Sequence, residues 1–73
     1  MKYELFSIYD SATEAYMRPW VAQSAGQALR LFEDEVTRDG SEIGAHPEDY
    51  ALFALGSFND NTGEILPVHP HRS

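Results

Sequence analysis

Apolar side chains along this chain follow two different periods, and the change from one to the other sets out a fold. From Tyr3 to Tyr9 the order Tyr-Glu-Leu-Phe-Ser-Ile-Tyr is rich in aromatic and branched residues, which suit a pleated strand. Alternation sends Tyr3, Leu5, Ser7 and Tyr9 to one face and Glu4, Phe6, Ile8 and Asp10 to the other. Leu5 to Ile8 is apolar on both faces apart from Ser7, so this strand is expected inside a sheet. From Tyr50 to Phe58 almost every residue is apolar again, the pattern of a second central strand with little water on either side. His46-Pro47-Glu48-Asp49 introduces it. Pro47 fixes its own φ and pushes His46 toward extended geometry, while Glu48 and Asp49 suit the free N–H groups that open a short helical turn. Asn59-Asp60-Asn61-Thr62-Gly63 then stops the strand with residues that tolerate turns.

Between the two strands the period lengthens. Ala25, Ala28, Leu29, Phe32 and Val36 recur at helical spacing and form one apolar stripe, with Leu31 at its flank. Ser24 and Gln27 fit a capping box at its start, and Gly40 can take a left-handed cap at its end. Arg30 and Asp34 are placed to pair at i, i+4, worth only a few tenths of a kcal/mol. Glu33-Asp34-Glu35 reads as a solvated face. Ahead of the helix, Asp10 to Thr13 carries turn residues and Glu14 to Arg18 has no clear period. Pro19 is confined to a loop or an edge strand because it lacks a backbone donor, and Trp20-Val21-Ala22 follows as a short edge strand. Ser41 to Ala45 reads as a flexible connector, and Glu64-Ile65-Leu66 as a short returning strand before Pro67.

These elements predict an α+β domain over residues 1–66. Strands near 3–9 and 50–58 form the centre of a small antiparallel sheet, with short edge segments near 19–23 and 64–66. One helix near 25–38 covers one face. Residues 67–73 carry two prolines and are expected to fray as a flexible tail. Tyr or Phe side chains of both central strands reach the second face, which a single helix cannot cover, and this leftover apolar surface predicts a homodimer.

With 73 residues the chain has room for one domain, and a domain of this size buries only about 60% of the surface its unfolded form exposes. No cysteine is present, so neither a disulfide nor a thiolate metal site can staple it. Packing by four Tyr, four Phe and one Trp is left to hold a single core. The lack of cysteine suits a reducing compartment. No apolar run approaches the roughly 20 residues of a membrane span, and Met1 to Phe6 lacks the layout of a signal peptide. A soluble protein without a membrane partner is expected.

Charge narrows the function classes. Twelve Asp and Glu oppose five Lys and Arg, a net charge of −7. Affinity for nucleic acid rests mainly on cationic contacts to phosphate, so this balance counts against strong non-specific DNA binding. It suits a basic protein partner or mimicry of a phosphate chain. Tyr16, Arg18 and Trp20 could stack bases and meet phosphate, against the simpler reading that Trp20 packs on the core and Arg18 is solvated. His46, His69 and His71 show no dedicated ligand spacing, and no metal site or cofactor is expected. His46, Glu48 and Asp49 have no nucleophile or cleft beside them, and their place in a turn accounts for all three. Gly26, Gly40 and Gly44 do not form a phosphate loop. No catalytic residue is assigned, and an enzyme is not expected.

Four motifs, taken together, resemble a known family. They are Tyr-x-Leu-Phe-Ser-Ile-Tyr-Asp from Tyr3, Trp-Val-Ala-x-Ser-x-Gly-x-Ala-Leu-Arg-x-Phe from Trp20, His-Pro-Glu-Asp-Tyr-x-Leu-x-x-Leu-Gly-x-Phe-Asn from His46, and Thr-Gly-Glu-Ile from Thr62. The order is similar to the small non-structural, fifth-frame protein of gokushoviruses, the single-stranded-DNA phages of the Microviridae, over residues 3 to 66. Asn59, where an Asp is commoner, and the histidine-bearing tail depart from that pattern. The resemblance implies a non-structural protein acting in single-stranded-DNA genome replication or packaging, in the cytoplasm of the infected bacterial host. It would bind single-stranded DNA weakly or act with a partner. It carries no catalytic residues. The residues available for a DNA patch are Lys2, Arg18, Trp20, Arg30 and Arg38, provided the fold gathers them on one face. The alternative is an acidic adaptor or inhibitor that binds a basic protein, such as a replication initiator, a scaffold or a capsid component, without contacting DNA.

Overall fold

Two long strands, β1 (Lys2–Asp10) and β4 (Tyr50–Asn59), lie antiparallel at the centre of a curled sheet, in a computed structural model that describes residues 1–72. β2 (Ala15–Tyr16) and β3 (Trp20–Ala22) share the outer side of β1, and β5 (Ile65–Arg72) runs along the outer side of β4. Helix α1 (Ala25–Thr37) lies across one face. The one-turn α2 (Glu42–Ala45) and a 3-10 turn at Pro47–Asp49 return the chain to β4. The predicted α+β architecture is the observed one, with β1 longer than expected by one residue at each end and β4 by one residue at its end.

The core sits between α1 and one side of the sheet. Phe6, Ala22, Ala28 and Leu52 form its buried centre, with Trp20, Phe32 and Ala54 packed against it. The register explains the grouping, since Phe6 stands opposite Trp20 on one neighbour and Ala54 on the other. Ile8, opposite Leu52, and Ile43 of α2 are buried as well. Alternation then turns Tyr3, Leu5, Ser7 and Tyr9 toward the face without a helix. Of the predicted helical stripe, Ala28, Phe32 and Val36 pack inward, whereas Ala25 and Leu29 are exposed. Ala25 belongs to the first turn, which begins at the sheet's margin, and Leu29 lies a quarter turn off the line through Ala28 and Phe32.

Local chemistry starts and stops these elements. The Ser24 hydroxyl accepts a hydrogen bond from the Gln27 N–H at 3.2 Å, as expected of an N-cap. Gln27 reaches back, but to the N–H of Gln23 (2.8 Å), one residue before the cap. Gly40 adopts φ +78°, two residues beyond the Arg38 C-cap. Ser7 is fully buried on the open side, where its hydroxyl donates to the Met17 carbonyl at 2.6 Å. That bond stitches down the stretch between β2 and β3, where Pro19 interrupts the edge.

Three expectations are corrected. Residues 67–73 were expected as a free tail and 64–66 as a short edge segment, but β5 spans Ile65–Arg72 and pairs along β4. The Asn59–Gly63 turn folds the chain back, with the Gly63 N–H on the Asn59 carbonyl at 2.8 Å. Pro67 and Pro70 fit because β5 is an edge strand, whose outer side needs no donors. Ser73, the last residue of the expected tail, lies outside the described residues. Ser41 to Ala45 is not a flexible connector: the Ser41 hydroxyl accepts from the Gly44 N–H at 3.2 Å and caps α2, whose Ile43 is buried. The ion pair on α1 is Glu35 with Arg38 at 2.7 Å, among the described residues, and not Arg30 with Asp34.

Candidate functional site

The sheet face opposite α1 carries five of the nine aromatic side chains, Tyr3, Tyr9, Tyr16, Phe53 and Phe58. β1 contributes Tyr3, Leu5 and Tyr9, and β4 contributes Phe53 and Phe58, by alternation from the core positions. Tyr16 stands opposite Tyr9 on β2, Val21 opposite Leu5 on β3, and Ile65 opposite Phe58 on β5. Three of the rings form a cluster. Tyr9 and Tyr16 have centroids 4.9 Å apart, Tyr16 and Phe53 5.6 Å, and Tyr9 and Phe53 5.8 Å, with the Phe53 contacts edge-to-face. Such tilted arrangements are the favourable ones for aromatic pairs. Tyr16 keeps 44% of its surface exposed, so the cluster presents a ring to solvent and is not itself a closed core.

Charge is distributed unevenly around this cluster. Arg72 stands opposite Phe53 on β5, and Arg18 follows Tyr16 by two residues. No Asp or Glu occupies an open-face register position of the five strands among the described residues. The acids lie elsewhere, on α1, α2, the turns and the helix side of β1, where Glu4 is opposite Ala22. At the end of the cluster Tyr9, Ser11, Glu48, Asp49, Tyr50, Phe53 and Arg72 line a shallow hollow of about 270 Å³. Burial raises the Tyr50 phenol above its ordinary value, and the nearby carboxylates of Asp10, Glu42 and Asp49 push the same way.

The structure does not gather the five residues expected to form a DNA patch. Lys2 opens β1 opposite Asn59, whereas Arg18 follows the Met17 N–H that donates to the Ile8 carbonyl. Six residues of strand separate those two positions, about 20 Å at the usual rise. Trp20 packs on the core, 6.3 Å from the Phe6 ring, with its Nε1 buried and without a hydrogen-bond partner. Arg30 and Arg38 lie on the helical layer and line two different hollows. Arg38 is also committed, since it donates to both Glu35 carboxylate oxygens at 2.7 and 3.1 Å. That contact holds the Glu35 carboxyl below the usual range and raises the Arg38 guanidinium. Of the set, only Arg18 adjoins the open face.

Sequence reasoning missed Phe53 and Arg72 as partners of Tyr16. Alternation along β1 already put Tyr3 and Tyr9 together, but joining them to Tyr16 and Arg72 needs the β1–β2 and β4–β5 registers. The histidines are dispersed, with His69 and His71 on β5. His46, Glu48 and Asp49 each bring one ligand-type atom within 4.8 Å of the others. They do so because the 3-10 turn folds three neighbouring residues together at the surface, which is their whole structural account.

No helix among the described residues is long and apolar enough to cross a membrane. No curated protein and no solved structure matches the chain. The model of one protein family does match it, over residues 3–72, which covers every strand and helix bar the first residue of β1. The chain belongs to the phage ORF5 protein family.

Proposed function

We propose that this phage protein serves the single-stranded-DNA stage of a gokushovirus genome cycle, in replication or packaging, by weak binding of single-stranded DNA. Bases stack on the open aromatic face at Tyr9, Tyr16 and Phe53, and Arg18 and Arg72 meet the backbone. The observation that carries this reading is the ring cluster itself, exposed at Tyr16 and with no acid at the strand positions beside it, although Glu48 and Asp49 border the hollow at its end. Stacking is indifferent to net charge, which is how a chain of −7 can hold a polyanion at all. It is worth about 1–3 kcal/mol per base, and every base has a face to offer. Few rings and few cations make the binding weak. The reading places the protein in the infected cell's cytoplasm and calls for no cofactor and no catalytic group.

The test is fluorescence anisotropy of a labelled oligo-dT at about 50 mM salt, where phosphate contacts are little screened. Tyr16→Ala should weaken binding about 5- to 150-fold, the factor that corresponds to loss of one stacked base. Absence of binding, or binding that Tyr16→Ala leaves unchanged, would refute the proposal.

A second reading has its own observation. The acids concentrate on the helical layer and the turns, where Glu33, Asp34, Asp39 and Glu42 are exposed. An acidic surface of this kind suits a basic phage protein, either a replication initiator or a component of capsid assembly, held without contact to DNA. It predicts a salt-sensitive complex with such a protein and a flat oligo-dT titration.

A further inference from the structure

We infer that a second copy of this chain covers the open sheet face, closing two five-stranded sheets into a face-to-face sandwich. We infer also that single-stranded DNA competes with that copy for the same rings. The first part stands on the fold alone; the second rests on the stacking function proposed above.

The argument begins with how little the single chain buries. Its buried apolar residues are Phe6, Ile8, Ala22, Ala28, Ile43 and Leu52, and two of these are alanines. With no cysteine to staple it, a domain of this size commonly gains stability by self-association. Meanwhile Tyr3, Tyr9, Tyr16, Val21, Phe53 and Phe58 share a face that no helix covers. Val21 and Tyr16 are each 44% exposed there. A sheet with one apolar face needs a second layer about 10 Å away, and a second copy of the same face supplies it.

Area and charge both permit this. The molecule measures 39 × 22 × 16 Å, so its broad face offers at most about 860 Å², against about 800 Å² per partner in a stable interface. A copy carrying −7 would repel its twin if the acids met. Among the described residues no open-face register position holds an acid and the acids of α1 and α2 lie in the opposite layer, so only Glu48 and Asp49, at the end of the ring cluster, come near the seam. In a sandwich those layers face outward, separated by more than the screening length of about 8 Å at physiological ionic strength.

The edges, by contrast, resist association. β5 presents Pro67 and Pro70, which have no N–H to donate, and the β2–β3 edge is interrupted at Pro19. Pairing of two copies through an added strand is blocked at both ends of the sheet. The open face, with its ring cluster, is then the broader apolar surface left, beside the exposed Leu29, Leu31, Leu66 and Val68 of the helix side.

The experiment is light scattering coupled to gel filtration, from low-micromolar to near-millimolar protein, at low and high salt and with or without oligo-dT. The wild-type chain should show twice the monomer mass, and the dimer should tighten with salt because apolar burial drives it. Tyr16→Glu and Val21→Glu, both at exposed edge positions, should each give a monomer with unchanged circular dichroism. Leu31→Glu, an equally exposed apolar position on α1, should stay dimeric. Oligo-dT should shift wild-type protein toward monomer, and less so as salt rises. A monomer at every concentration overturns the inference and leaves the stacking function standing. A dimer that survives both Tyr16→Glu and Val21→Glu overturns it too, because the interface then lies elsewhere. DNA bound to an intact dimer overturns the competition. A face-dependent dimer with no affinity for DNA upholds the sandwich and removes the stacking function.

Discussion

Gly56→Ala tests the pairing that places β5 on the sheet. Gly56 sits where the β4–β5 register shifts, opposite Leu5 on one side and Pro67 on the other. A methyl group built there would lie 3.1 Å from the Pro67 Cα and 3.2 Å from the Leu66 carbonyl carbon, and would overlap the Leu66 carbonyl oxygen. All three are backbone atoms, so no side chain can rotate away and β5 itself must move. Overpacking of this kind costs about 1–3 kcal/mol. Against it stands the gain of about 0.4–1 kcal/mol from a stiffer unfolded chain. The net runs from about zero to a loss of about 2.6 kcal/mol, and at its middle, a loss of about 1 kcal/mol, the Tm of a domain this size falls by about 4–8 °C. Thermal unfolding by circular dichroism measures the loss. Amide hydrogen exchange locates it: amides of Ile65–Arg72 should lose protection while those of β1 keep theirs. A Tm that is unchanged or raised, with β5 still protected, would show that the two backbones do not approach as described.

Ser24→Ala removes the acceptor for the Gln27 N–H and should cost about 1 kcal/mol, a fall in Tm of about 4–8 °C, whereas Ser24→Asp should restore most of it. Tyr50 should ionise above its ordinary value of 10.0, giving a late step in the phenolate absorbance titration that Tyr50→Phe abolishes. The folded state holds this proton more tightly than the unfolded chain. Its contribution to stability is therefore complete below pH 10 and fades as pH rises from there through the raised folded value, so Tyr50→Phe should flatten the alkaline fall in stability.

What the sequence disclosed and what it hid divide along sequence separation. The N-cap at Ser24 and the turn at Pro47 are legible because each is settled within four residues. β1 and β4 are legible because their apolar runs carry their own period. β5 was hidden because Val-His-Pro-His has no strand signature; only the long free edge of β4 makes a strand of it. α2 was hidden for a related reason, since Ser41 caps one turn that Ile43 then anchors in a core built by distant residues. The candidate site suffered most. Lys2, Arg18, Trp20, Arg30 and Arg38 were grouped by residue type, yet parity in β3 turns Trp20 to the core and Glu35 engages Arg38. Arg72 falls in the segment expected to fray, and the β4–β5 register brings it to the ring cluster.

Salt dependence can tell the two conceivable DNA surfaces apart. Each phosphate neutralised on a single strand contributes about 0.7 to the slope of log affinity against log salt. A patch made of Lys2, Arg18, Arg30 and Arg38 would release four counterions and give a slope of about −2.8. The ring cluster, with Arg18 and Arg72 alone beside it, gives about −1.4, so a fourfold rise in salt weakens it about 7-fold where the patch would lose about 50-fold. Geometry favours the shallow slope, since the four cations of the patch are spread over both ends of β1 and two hollows on α1. Arg72→Ala sharpens the comparison: it should halve a slope of −1.4 and leave one of −2.8 untouched. A steep slope indifferent to Arg72 would mean that the helical layer, in spite of its acids, is the side that meets DNA, and the aromatic face would then belong to the second copy alone.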